Sequence, residues 1–437
     1  MLSAQASLIA VAREPQRMGS RQRIVRTAGH GALAVVDQGL FALTTFVANL
    51  LLARWLPAAS YGAFALGWSA FLLFAALHQA GFGEPQQALG GGRFADRIGG
   101  YLGLLALGHW LVALPMAAAL ALAALVAQQS GHHLVGAVLA GLAVAVPGTL
   151  AFWLARSACY AARRGPCAAL GSVTFIIVAL GGLVALRALD LIGPGVALAT
   201  LGVAGLAAAT VLRRLLRDLP RGRIVPAEVI AAHGPYLGWA AGAQTLGWLC
   251  ANLHLLLLGG MLSLTAAGTM KALDTTLSPA QQVATALSQI ALPWLGAAAA
   301  RGTLVRAGMT LAAAFAGLGL VAWAALALVG DRVLALLYGP AFAGHGHDLS
   351  LYALMLIPYG AATAFQLGCR ATLRGGSLFT LQLVCSVALL AAYVVALPYG
   401  LRGMCIAAVV VQVATLPLAA WLFLRAAAPL APPGGDP

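Results

Sequence analysis

Apolar runs of roughly twenty residues, each long enough to cross a bilayer as a helix, recur from residue 30 to residue 425. No other feature of the chain limits its fold as strongly. Roughly twelve spans can be read, at 30–53, 60–83, 99–127, 132–155, 166–187, 191–212, 235–259, 262–296, 303–329, 349–370, 377–397 and 399–425. Only 8% of the 437 residues are charged, where soluble proteins average about a quarter. The reading is an all-α polytopic membrane protein with almost no soluble part.

The net charge of +14 raises the question of a nucleic-acid partner, and its distribution answers it. With the N-terminus cytoplasmic, only Arg54, Arg187, Arg332 and Arg402 of the 25 basic residues fall outside. Lys271 lies within a span, and the rest gather on the cytoplasmic side. That is the positive-inside pattern. It supports an even number of spans, with both termini cytoplasmic, and makes the lipid bilayer the expected partner rather than nucleic acid. The opening MLSAQASLIAVAREPQ has no basic n-region and only a short apolar stretch before Arg13, so it does not read as a signal peptide. Met18 offers a second candidate start. The six cysteines show no C-x-x-C spacing and read as small packing residues.

The longest polar connection, RRLLRDLPRGRIVPAEVIAAH, runs from Arg213 to His233 at the midpoint. The expected organisation is a basic segment over 1–29, a six-helix bundle over 30–212 and a linker over 213–234. A second six-helix bundle over 235–425 and a tail over 426–437 follow. A weak repeat agrees with two halves: setting Gln38 on Gln244 also places Leu43 on Leu249 and Gly62 on Gly268. Two similar halves with the substrate path between them are a common transporter plan.

Polar residues inside spans are costly, and they commonly face a cavity or a partner. In span eight Lys271, Asp274, Thr275, Ser278, Gln281, Gln282, Thr285, Ser288 and Gln289 advance by threes and fours, which places them on one helical face. Lys271 and Asp274, one turn apart, could instead be a buried pair stapling two helices. Span one carries Asp37, Gln38, Thr44, Thr45 and Asn49; span two carries His78, Gln79 and Glu84; span seven carries Gln244, Thr245, Asn252 and His254. Isolated histidines such as His109 and His254 fit packing as well as function. Pro279, set within the polar face of span eight, is the expected hinge among several intramembrane prolines. No Walker A, G-x-S-x-G or H-E-x-x-H motif occurs, so neither an ATP-driven pump nor an enzyme is expected. The stretch GHGHD, Gly344 to Asp348, reads as a polar loop before it reads as a metal site, and no metal is expected.

The run LLLARWLPAASYGAFAL, with Ala53, Arg54, Pro57, Tyr61 and Gly62, is followed by a span ending at Gly81–Gly83. With LLYGPAF (Leu336 to Phe342) and LPYGLRGMCIAA (Leu397 to Ala408), it resembles bacterial polysaccharide transporters, the oligosaccharide flippases of the Wzx type. The resemblance covers residues 30–425. It implies two six-helix bundles in a V within the MOP exporter superfamily, which includes MATE antiporters and the lipid II flippase. It also implies a bacterial inner-membrane location and a cationic central cavity for an undecaprenyl-diphosphate-linked glycan, with other polysaccharide-assembly membrane proteins as further partners. On that reading Arg54 and Lys271 meet diphosphate or acidic sugar, and Asn49, Asp274, Ser278 and Gln281 complete the cavity. Asp37, Glu84 and Asp274 pair with those cations or carry coupling H+ or Na+; no cofactor is expected. A MATE-like cation or drug antiporter, a lipid II-type flippase and a glycan polymerase or ligase are the competing readings. Arg54 itself either faces the groove between the halves or snorkels to the outer headgroups.

Overall fold

The computed structural model describes residues 20–162, 164–372 and 375–427, and every regular element among them is helical. Helix α1 is Ser20–Trp55 and α2 is Ala58–His78, which passes through a π-helical turn, Gln79–Gly83, into α3, Glu84–Gly90. Then come α4 (Ile98–Gln129), α5 (His133–Ala161), α6 (Gly165–Ala188) and α7 (Pro194–Leu215). Helix α8, Pro226–Leu257, ends in a second π turn, Leu258–Leu262. The remainder are α9 (Leu264–Ala300), α10 (Leu304–Tyr338), α11 (Gly346–Ala353), α12 (Leu356–Ala371), α13 (Gly375–Ala396) and α14 (Gly400–Ala427).

Among the described residues, nine helical stretches are long and apolar enough to cross a membrane. One of them, Gly376–Ala427, contains both α13 and α14. With the shorter apolar helix Gly39–Trp55 of α1 and the polar α9, the twelve spans read from the sequence are all present as helices. This is a multi-pass membrane protein. Leu111, Leu122 and Val126 on α4 stand more than half exposed, as residues turned to lipid do.

The chain forms two compact units. The first holds the described residues up to Ala48, then Phe74–Leu191 and Gly195–Ala241; the second holds Asn49–Leu73, Ile192–Pro194 and the chain from Gly242 on. The C-terminal end of α1 and most of α2 therefore pack with the C-terminal helices.

Glycine sets how closely the helices of the first unit approach. Gly141 and Gly148 of α5 face Gly195 and Gly202 of α7 at matching seven-residue spacing. A Cβ on Gly148 would lie 2.1 Å from the Gly202 carbonyl oxygen, and one on Gly202 would lie 2.4 Å from that of Val144. Without a hydrophobic driving force between helices in lipid, such backbone-to-backbone packing is what holds them together. In the second unit, Phe365 and Phe423 stack at 5.4 Å within a core drawn from α9, α10, α12, α13 and α14.

Two departures from the sequence reading have local causes. Span ten is broken into α11 and α12. Pro358 offers no N–H to the Leu354 carbonyl, which accepts instead from Ile357 N at 3.3 Å. The midpoint connection is short, because α7 runs to Leu215 and α8 begins at Pro226. What lies between, together with the first turn of α8, is pinned to the first unit. Gly99 N donates to Pro220 O at 2.8 Å, Arg164 binds Asp218 through two bonds of 2.7 and 2.8 Å, and Arg97 pairs with Glu228 at 2.9 Å. Arg164's hydrogen bonds hold the Asp218 carboxyl below the usual carboxylate range.

His233, near the start of α8, clasps the first π turn. Its Nδ1 lies 3.1 Å from Gly81 O, which can only accept, so Nδ1 carries the proton. Its Nε2 then accepts from Tyr101 OH at 2.9 Å. Burial holds this imidazole below its ordinary value. As pH falls through about 6.5 the unfolded chain binds the proton first, so the stability contributed by neutral His233 is present above that range and lost below it. The thermal midpoint of purified protein should therefore fall between about pH 7.5 and about pH 5.5, and by less in His233→Gln.

The glycine seam gives a sharper test. Gly202→Ala should cost about 1–3 kcal/mol through overpacking and lower the thermal midpoint, whereas Gly181→Ala, whose Cβ would enter open space, should leave it unchanged.

Candidate functional site

Polar side chains within the spans gather into distinct clusters, each inside one unit. In the first unit Asp37 of α1 is fully buried. Its Oδ2 accepts from Arg156 Nε of α5 at 2.6 Å and from Tyr160 OH, one turn further along α5. Its Oδ1 accepts from Ser172 Oγ of α6. The Arg156 guanidinium also lies over the Phe41 ring, 5.6 Å from its centre, and Phe41 packs on Phe152, Trp153 and Phe175. One carboxylate thus ties three helices together.

The sequence offered Arg54 or Lys271 as partners for Asp37, and placed Arg156 with the residues that set topology. The cation that reaches Asp37 is Arg156, because the end of α5 packs beside α1. The sequence shows only that Arg156 and Tyr160, four residues apart, share a helix face, and not which acid they meet.

His78 at the end of α2 meets His109 of α4, Nε2 to Nδ1 at 3.1 Å, and His109 Nε2 lies 3.2 Å from Pro147 O. The carbonyl can only accept, so His109 carries its proton on Nε2 and accepts from His78 on Nδ1. Glu84, half-buried, opens α3 directly after the π turn.

The second unit holds the other cluster. Asp274 of α9 accepts Tyr352 OH of α11 at 2.6 Å on Oδ1 and lies 2.9 Å from His254 Nε2 of α8 on Oδ2. Lys271, one turn earlier, is half-buried, and among the described residues its ammonium makes no hydrogen bond or ion pair. The sequence left open a Lys271–Asp274 staple; the carboxylate instead turns to α8 and α11. Nearby, Tyr61 is fully buried, places its OH 3.4 Å from Asn49 Oδ1, and meets Phe342 edge-on at 6.1 Å. Tyr338 OH lies 3.2 Å from Thr276 Oγ1 and donates to it, since the threonine proton goes to Ala272 O. The Tyr-Gly stretch at Tyr61 and the Tyr-Gly-Pro stretch at Tyr338 therefore meet in space. Gly339 sits at φ 91°, a backbone open to glycine alone, which turns the chain so that Phe342 reaches Tyr61.

The polar face of α9 is largely self-satisfied. Thr275, Thr276, Thr285 and Ser288 donate to carbonyls one turn back on their own helix, leaving oxygen lone pairs rather than protons for any guest. The helix is continuous through Pro279. Proline withholds its N–H from the Thr275 carbonyl, and Ser278 Oγ donates there at 2.7 Å. Gln281 is half-buried and Gln282 exposed; the side chain of Gln289 lies outside the described residues. Arg54, in the last turn of α1, is exposed and joins neither cluster. Asp348 of the GHGHD stretch is engaged by His345 Nδ1 and Arg402 Nε, both at 3.1 Å, as a loop clip. Among the described residues no three metal-ligating side chains converge.

No family model matches the sequence, and no curated protein does. Solved structures do resemble it. A multidrug resistance MATE family transporter of the MOP superfamily, inward-facing, superposes with TM-score 0.70 at 13% identity over 90% of this chain and 98% of that one. The fold is that of the MOP-superfamily transporters. The lipid II flippase MurJ, inward closed, gives 0.67 at 12% identity over 90% of this chain and 89% of its own. A MOP superfamily transporter from Pyrococcus furiosus, described as having a binding pocket of reverse polarity, gives 0.60 at 15% identity over 92% and 95%.

The ion pair is testable by stability. Arg156→Leu should leave Asp37 buried without its cation and cost about 3–5 kcal/mol, while Asp37→Leu combined with Arg156→Leu should recover much of that loss. Thermal unfolding of the purified single and double variants measures both.

Proposed function

We propose that the protein is a flippase that carries an undecaprenyl-diphosphate-linked oligosaccharide across the bacterial inner membrane for surface polysaccharide assembly, by alternating access. The observation that carries this reading is Lys271. An ammonium inside a span is expensive unless something answers it, and the adjacent Asp274 is already occupied by His254 and Tyr352. A diphosphate is the kind of group that answers it, since a cation gains most against phosphate where the dielectric is low. Arg54 is the second cation assigned to the substrate, with Asn49, Ser278 and Gln281 meeting sugar hydroxyls.

An antiporter for organic cations would want the opposite: an accessible carboxylate. Asp37 is enclosed by Arg156, Tyr160 and Ser172, and Asp274 has donors on both oxygens. These acids suit a coupling role for H+ or Na+, with Glu84, better than a substrate role. Pro279 serves as the flexing point of α9, its missing backbone bond covered by Ser278.

In a strain that depends on this protein for its surface glycan, Lys271→Ala and Arg54→Ala should each abolish the glycan while the protein stays in the membrane. Lys271→Arg should retain part of it. Normal glycan in both alanine variants would sink the assignment, as would glycan unchanged on deletion together with a loss of cationic-drug efflux.

A further inference from the structure

A second binding place lies wholly within the first unit, and His109, the partner of His78, is among the residues that line it. Helices α4 and α7 both flank α5 and leave a slot of about 460 Å³ between them, a size ordinary for a ligand site. Its floor is the small-residue face of α5, including Ala151, Ala155 and Ala158, and its walls carry Leu102 and Trp110 of α4 and Leu206 of α7. Its rim is basic. Arg213 and Arg214 end α7, and Arg217 and Arg221 follow on the pinned connection.

Two features go beyond what topology alone requires of these arginines. First, the four guanidiniums share a rim without a carboxylate to neutralise them. Among the described residues the nearby acids are spoken for, Asp218 by Arg164 and Glu228 by Arg97. Second, Gln86 lines the same slot at 1% exposure, and its Oε1 has no donor among the described residues. Its Nε2 donates to Leu154 O at 3.3 Å, which fixes the amide so that the oxygen is the atom left over. A buried acceptor without a donor costs roughly 1–3 kcal/mol, a cost that an ordered water or a ligand hydroxyl relieves.

We propose that this slot holds an anionic glycerophospholipid whose headgroup carries hydroxyls, phosphatidylglycerol being the type. The acyl chain lies on the alanine floor, the phosphate meets the arginine rim, and a glycerol hydroxyl donates to Gln86 Oε1. Basic pockets between membrane helices bind anionic headgroups in this way. A choline headgroup offers no donor and no net charge. An ethanolamine headgroup has no net charge either and brings an ammonium to a rim of four guanidiniums. The lipid fills the gap between α4 and α7 that helix packing leaves open, and so is a structural ligand of the unit rather than cargo.

The test is lipid retention by the full-length, delipidated protein, read by native mass spectrometry. Phosphatidylglycerol should be retained about tenfold over phosphatidylcholine, the worth of roughly one buried charge-assisted hydrogen bond. Glycerol phosphate, which lacks acyl chains, should not be retained. Gln86→Leu, and separately Arg217→Gln with Arg221→Gln, should each remove most of that preference; the arginine pair is exposed and leaves the fold intact. Equal retention of the two phospholipids would overturn the proposal, as would an undiminished preference in the arginine pair. Equal binding of glycerol phosphate would reassign the site to a soluble anion. Displacement of phosphatidylglycerol by an equal amount of polyprenyl diphosphate would hand the slot to the transported substrate and overturn the structural role.

Discussion

An ionised group inside an apolar chain must be answered by other parts of that chain, and here the answers decide which helices meet. Asp37 draws Arg156 and Tyr160 from α5 and Ser172 from α6 onto α1. Asp274 draws His254 from α8 and Tyr352 from α11 onto α9. Each unit therefore has one carboxylate to which two further helices contribute donors. In lipid, where apolar contact distinguishes poorly between correct and incorrect neighbours, such polar anchors specify the packing that the glycine seam of α5 and α7 then tightens.

The same demand applies to the backbone. Pro279 and Pro358 each withhold one N–H, and the chain covers the loss differently. At Pro279 a side chain, Ser278, takes up the orphaned carbonyl and α9 continues. At Pro358 the carbonyl is taken by a tighter backbone turn and the helix divides into α11 and α12. A bond from a serine hydroxyl can be released without unfolding a turn of helix, which is the physical ground for proposing Pro279 as the flexing point. The π turn after α2 leaves Gly81 O to receive His233, whereas the one after α8 closes span seven, the repeat partner of span one rather than of span two.

Much of this was legible in the sequence because it rests on length and period. Twelve apolar runs and the polar stripe of α9 need only counting. The motifs around Tyr61, Tyr338 and Tyr399 marked places where the chain turns or backbones touch: Gly339 and Gly400 both hold positive φ, and a Cβ on Gly62 would collide with Leu264 O. What could not be read was partnership. Arg156 looks like any arginine at a helix end, and Tyr352 like any aromatic in a span; only three-dimensional packing reveals that each meets an acid far away in sequence. The hydroxyls of α9 misled in another way. Spacing suggests a face prepared for a guest, yet each threonine first satisfies its own helix.

Charge placement within the spans is uneven. Among the groups described within the spans, the carboxylates Asp37 and Asp274 are closed by donors, while the ammonium of Lys271 is not. If each had been matched to its own counterion, the interior would be electrically complete and indifferent to ligands. On the proposed reading, an ammonium without a hydrogen-bonded partner costs stability in the empty protein, and an anionic guest relieves that cost. The relief is a differential affinity between empty and loaded states, which is the quantity any ligand-driven change of conformation needs. Asp274 acts on Lys271 electrostatically from one turn away, while its hydrogen bonds go to His254 and Tyr352.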